Sequence, residues 1–135
     1  MKNTMIWQIG EFFCPHYCLG CGKVGGILCK CCEKYIISGR MTHCLKCGNK
    51  LENQRCFRCV LPFLRQYCLG LRKDEIKDLV SLFKYRSVRA CGVEMAKLLR
   101  MTFGDCTEGA LIVPLPTIRK HVRERGFDHT LKLAQ

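Results

Sequence analysis

Four Cys-x-x-Cys pairs, arranged as a tandem repeat, constrain this chain more than any other feature. Residues 18–22 read "CLGCG" and residues 44–48 read "CLKCG". Each is followed by a second pair, Cys29/Cys32 and Cys56/Cys59. Seven residues separate Cys21 from Cys29, and eight separate Cys47 from Cys56. The repeat is therefore offset by 26 to 27 residues.

The spacing has a physical cause. Two cysteines with two residues between them can aim both sulfurs at one ion from a tight turn, and backbone N–H groups in that turn can bond to the thiolates. Gly22 and Gly48 stand just past each first pair and suit the positive φ such a turn needs. A second turn closes a tetrahedral four-sulfur site with Zn–S near ~2.3 Å. Two zinc ions are expected, one on Cys18, Cys21, Cys29 and Cys32, the other on Cys44, Cys47, Cys56 and Cys59. Spacing does not exclude a cross-braced pairing of first pair with third, although the short gaps favour sequential ribbons. Each ribbon would be a small β-hairpin, and the eleven residues "EKYIISGRMTH" would pack one on the next. Metal binding then supplies most of the folding energy, on the order of 10 kcal/mol per site.

The stretch "CLGCGKVGGILCKCC" holds five cysteines, so one is spare. Cys31 is the spare, because its one-residue spacing from Cys29 suits a shared ion poorly. Cys14 could replace Cys18 only in an irregular first turn. Cys68, Cys91 and Cys106 sit in apolar surroundings and read as buried packing residues. His16 and His43 flank ligands and read as exposed turn histidines, with ligand substitution as the alternative.

There are 13 cysteines in 135 residues, and an odd number precludes a complete intrachain disulfide set. The start "MKNTMIWQIGEFF" lacks the apolar run of a secretion signal. No stretch approaches the roughly 18 apolar residues of a membrane span. A cytoplasmic protein with reduced thiols and no membrane insertion is expected, where clustered cysteines point to metal.

The formal net charge is +12. Lys and Arg outnumber Asp and Glu by 9 to 3 in residues 1–60, by 9 to 4 in 61–100, and by 5 to 4 in 101–135. Eight thiolates and two zinc ions would change +12 to +8. A polyanionic partner fits this balance, as does a merely soluble basic surface. All-cysteine sites are closed and leave no position for a catalytic water, so the zinc is expected to be structural. Arg40, Lys46, Lys50, Arg55 and Arg58 around Phe57 are the candidate nucleic-acid contacts.

Cysteine density falls after Pro62. The domain division expected is a double zinc ribbon over residues 12–61 and a second unit over 64–135. "RQYCLGL" (65–71) reads as a short strand. In "RKDEIKDLVSLFKYR", Ile76, Leu79, Val80 and Phe83 fall at helical spacing. Asp74 and Glu75 near its start and Lys84 and Arg86 near its end complement the helix dipole. A second helix is expected over 88–103, with Val88, Ala96, Leu99 and Phe103 facing the core and Gly92 at a close packing point. "GDCTEG" reads as a loop, and "ALIVPLP" (110–116) as a buried strand of a parallel sheet. Arg119, Arg123, Arg125 and Gly126 then occupy a loop that enters a helix at about Asp128. A strand, a basic loop and a helix in that order suggest an anion site.

The ordered combination resembles the ComF family, the competence-associated, phosphoribosyltransferase-like proteins. The likeness rests on the tandem ribbons from Pro15 to Cys59, on "LVSLFKYR", and on "IVPLP" followed by "RERGFDHTLKLA". It covers nearly the whole chain. It implies a zinc-ribbon module followed by a type I phosphoribosyltransferase-like α/β domain, incomplete in this chain. It also implies a role in DNA uptake, contact with single-stranded DNA, and a helicase-like partner. Asp128 and His129 depart from the family's usual Asn-Gln, and Asp128 sets a negative charge beside the anion site. The family continues for roughly another hundred residues, with an acidic pair and a Thr/Gly-rich loop that cradles the 5′-phosphate of phosphoribosyl pyrophosphate. That stretch is not in this sequence, so a fragment without phosphoribosyl transfer of its own is expected. A purely structural zinc module is the remaining alternative.

Overall fold

The structure is a computed structural model that describes residues 16–106 and 108–135. Cys14 and the first residues of the expected ribbon domain lie outside the described residues. Among the described residues there are five α-helices: α1 (Lys30–Ser38), α2 (Asp74–Tyr85), α3 (Arg89–Phe103), α4 (Arg119–Arg125) and α5 (His129–Ala134). A 3-10 turn, Gly104–Cys106, continues α3.

The two expected amphipathic helices form and pack on each other. Leu79 and Phe83 of α2 and Cys91 and Leu98 of α3 are the centre of the core. Gly92 lets the helices approach: a Cβ there would lie 2.6 Å from Phe83 Cε2. Phe127 and Leu133 pack on the same core, and the Phe127 ring lies 5.3 Å from that of Phe83.

This core reaches into the cysteine-rich half. Cys18, Leu28 and Ile36 are buried in the same cluster as Leu79 and Phe83. Glu33 of α1 is buried and accepts a hydrogen bond from Lys97 of α3 at 2.6 Å. The second cysteine group has its own small core, Cys44, Leu51 and Cys56, with Cys59 and Leu61 against it.

Several expectations need correction. Most of the eleven residues expected to pack one ribbon on the next, 33–38, are helical and belong to α1. Residues 65–71 form no strand. Their bonds are isolated: Met41 N–H donates to Cys68 O at 3.2 Å, and Gln66 N–H to Gln54 O at 2.9 Å. A strand needs a continuous ladder. "ALIVPLP" is not buried. Leu111 is 88% exposed, and Ile112, Val113 and Leu115 are exposed as well. No second strand lies beside it among the described residues, so its apolar side chains have no sheet to enter. The only β pairing among those residues is three isolated antiparallel bridges. In α3 the buried leucine is Leu98 rather than Leu99. Cys91 is buried as expected, whereas Cys106 is exposed and Cys68 half-buried.

Candidate metal centres and basic face

The two first pairs adopt the same local structure. In each, the glycine after the second cysteine donates its N–H to the first cysteine's carbonyl at 2.8 Å, Gly22 to Cys18 and Gly48 to Cys44. Both glycines have φ of +71°, the left-handed value anticipated for them. Each turn is closed by one antiparallel bridge, Tyr17 with Val24 and His43 with Lys50.

The second pairs differ. Cys29 is the N-cap of α1 and Cys32 lies in its first turn. The helix dipole there favours thiolate. Cys56 and Cys59 instead follow a two-residue hairpin in which Glu52 and Arg55 exchange backbone hydrogen bonds. The sites are thus a turn plus a helix start, and a turn plus a turn.

Both groups converge. The sulfurs of Cys18, Cys21, Cys29 and Cys32 lie within 4.8 Å of one another, and so do those of Cys44, Cys47, Cys56 and Cys59. A tetrahedral site with Zn–S near 2.3 Å has an S···S edge of ~3.8 Å. Cys21 and Cys29 are 3.6 Å apart, and Cys47 and Cys56 are 3.7 Å apart. The donor sets fit two zinc ions. The pairing is sequential, and the cross-braced arrangement does not occur. No disulfide forms among the described cysteines. Cys31 is exposed and outside the first site, and His16 and His43 are exposed and outside both.

The electrostatics of the bare thiols also call for a cation. Burial raises the Cys18 thiol, but backbone donors from Cys21, Cys29 and Gly20 outweigh it and bring it down to about 6. Cys32, beside Cys29, is pushed far up. Asn49, which donates to Cys47 Sγ at 3.2 Å, lowers that thiol to about 6, while its neighbour Cys59 is pushed up to about 12. Four crowded thiolates repel, so some hold protons until a dication binds.

Around the second site, Lys46 lies in the first turn, Lys50 on its bridge, Arg55 at the hairpin and Arg58 between Cys56 and Cys59. All four are exposed, as is Arg40 ahead of the site. The Arg55 guanidinium lies 5.1 Å from the ring centre of Phe57, which is 68% exposed. Phe57 is therefore a surface residue and not part of the second site's core.

The four residues of the expected anion site are placed differently from a loop. Arg119, Arg123 and Arg125 belong to α4, and Gly126 caps it with φ of +75°. Arg119 and Arg123 are exposed. Arg125 points elsewhere: its Nη1 lies 3.1 Å from His129 Nδ1, and its guanidinium lies 6.0 Å from the Tyr85 ring centre. Asp128 caps α5, accepting from Thr130 N–H at 3.0 Å and Leu131 N–H at 3.2 Å.

Local pattern does not foretell the bonds of Gln66 or the Lys97–Glu33 pair. They span 12 to 64 positions, beyond its reach. Compared with models of protein families, with curated proteins and with solved structures, the chain matches none. Among the described residues, no helix is long and apolar enough to cross a membrane.

Proposed function

We propose that this chain is a ComF-like, zinc-binding accessory protein of DNA uptake that contacts single-stranded DNA through the face of its second metal site. It works in the cytoplasm, beside a helicase-like partner. Residues 64–135 are then the first part of a phosphoribosyltransferase-like domain. One observation carries the DNA reading most directly. The second site sets an exposed aromatic ring under a guanidinium, amid further exposed cations. Aromatic faces that stack bases, together with cations that follow the phosphates, are how single strands are held without sequence preference. The closed four-sulfur sites make zinc a scaffold for that face and not a reagent.

Binding should be non-specific and steeply salt-dependent. Each phosphate contact contributes a slope of about −0.7 in log K against log salt, so four to six contacts give roughly −3 to −4. Fluorescence anisotropy of a labelled oligo-dT across a salt series measures this. Arg55→Glu with Arg58→Glu should weaken binding while zinc content stays at two. Unchanged affinity of that double reversal at low salt would show that the charges serve only as a soluble surface.

A further inference from the structure

Resting on that single-strand reading, we infer that the second metal site carries a two-base stacking platform, with Phe57 and Phe63 as its two rings and Arg55 as the divider. Two grooves meet at this face. One, of about 190 Å³, is lined by Phe57, Arg65 and the Glu52–Arg55 hairpin. The other, of about 380 Å³, is lined by Phe63, Val60 and the site cysteines Cys56 and Cys59. Arg55 and Leu64 line both grooves and form the wall between them.

Phe63 is 47% exposed, and Leu64 and Val60 are more exposed still. Bare rings at a surface cost free energy unless something covers them. Here the occupant is fixed by charge. Arg55 and Arg65 line the grooves, Arg58 is exposed next to Phe57 in the chain, and Glu52 is the one acid lining either groove. A polyanion with flat apolar faces suits this mixture. A single strand offers both properties, and its bases are already free of partners.

The platform is held rigid. The hairpin tip is tight, with Asn53 at φ of +47° and Gln54 at +62°. Left-handed residues other than glycine persist only where surroundings enforce them, and they gather at functional sites. Gln66 is buried and binds the Phe63–Arg65 segment to the site twice. Its N–H donates to Gln54 O at 2.9 Å and its Nε2 to His43 O at 3.1 Å. Phe63 lies past Cys59, the last cysteine of the second site, where cysteine spacing carries no signal for it.

The test compares oligo-dT with an abasic strand of equal length, which keeps the phosphates and removes the bases. The wild-type protein should prefer oligo-dT. Phe57→Ala and Phe63→Ala should each weaken oligo-dT binding about 5- to 150-fold, the range of one stacked base. Neither should change abasic binding or the salt slope, and Phe63→Tyr should keep wild-type affinity. If the wild-type protein binds both strands equally, the platform is wrong while the basic-face reading stands, and this result needs no variant to fold. If neither strand binds at low salt, the single-strand reading fails and takes the platform with it.

Discussion

Lys97 Nζ sits 2.6 Å from Glu33 Oε1 and joins α3 to the helix that begins the first metal site. The Glu33 side chain is 6% exposed and the Lys97 side chain 46%. The pair is thus asymmetric: Glu33 depends on Lys97 more than the reverse. Replacing Lys97 with Met leaves a buried carboxylate without its donor, at a cost of about 1–3 kcal/mol. Glu33→Gln should cost less, because the amide keeps the shape and carries no charge to strand. The hydrogen bond that Lys97 donates to Glu33 raises its ammonium above the ordinary 10.5. Its stabilisation is therefore full below pH 10.5 and is lost as pH rises through the higher folded value. Urea unfolding of the zinc-loaded protein measures both variants. Equal stability of Lys97→Met and wild type would mean that water replaces the ammonium at no cost.

The two metal sites should fail differently. Cys18 lies in the core with Leu79 and Phe83, whereas Cys44 and Cys56 lie in a separate small cluster. Native mass spectrometry should count two zinc ions per chain. Cys18→Ser and Cys47→Ser should each lose one, and Cys31→Ser and Cys14→Ser none. Beyond the count, Cys18→Ser should weaken the helical core because metal and core share residues. Cys47→Ser should leave the helical melting transition nearly unchanged. A core that melts alike in both variants would mean that the first site is not coupled to the helices.

At Gly92 the expected outcome is destabilisation, although alanine is the better helix former. A Cβ would lie 2.6 Å and 2.9 Å from Cε2 and Cζ of Phe83, which is fully buried. Overpacking of this kind costs typically 1–3 kcal/mol, against about 1 kcal/mol gained in helix propensity. Gly92→Ala should therefore lower the thermal midpoint, and Gly92→Val should lower it further. A higher midpoint for Gly92→Ala would show that Phe83 moves aside freely.

Gly92 was legible because an apolar helix interrupted by glycine usually marks a close approach. Gly22 and Gly48 were legible because the turn chemistry demands their φ. The eight ligands followed from spacing alone. Spacing could not tell that Cys29 and Cys32 start a helix while Cys56 and Cys59 close a turn, since two intervening residues suit both. Leu98 and Leu99 are adjacent on α3, and it is Leu98 that joins the buried cluster with Leu79, Phe83 and Cys91. The run at 110–116 shows the limit of apolarity as a signal. It marks side chains that gain by burial, but burial needs a neighbouring strand that the run cannot supply.

Asp128 offers a pH test at the other end of the chain. Thr117 and Thr130 hydroxyls donate to its carboxylate, each at 2.8 Å, along with the two α5 N–H groups. These bonds, Thr117 first, hold it down to about 2 against an ordinary 3.8. A lowered carboxyl stabilises the fold above pH 3.8, and that contribution is lost as pH falls through about 2. Asp128→Ala should fray α5 at neutral pH and flatten this acid dependence. Asp128→Asn should keep part of the cap. Amide exchange at Thr130 and Leu131 reports it directly. Exchange in Asp128→Ala as slow as in wild type would mean that the cap does not hold the helix.

The hairpin tip beside Phe57 supplies the last prediction. Gln54 occupies the left-handed region at φ of +62°, where a side chain costs roughly 1–2 kcal/mol. Its Oε1 is buried without a hydrogen-bond partner, which adds a desolvation cost. Gln54→Gly removes both. Glycine gives back about 0.5–1 kcal/mol through the greater freedom of the unfolded chain. The backbone carbonyl that receives Gln66 N–H is kept. The net should be a gain of about 1 kcal/mol, confined to the second metal site. Zinc release to a chromogenic chelator should be slower from that site and unchanged from the first. Asn53→Gly should gain less, because asparagine already tolerates the left-handed region. Faster release from the second site in Gln54→Gly would mean that the glutamine side chain, and not the backbone bond to Gln66, holds the hairpin in place.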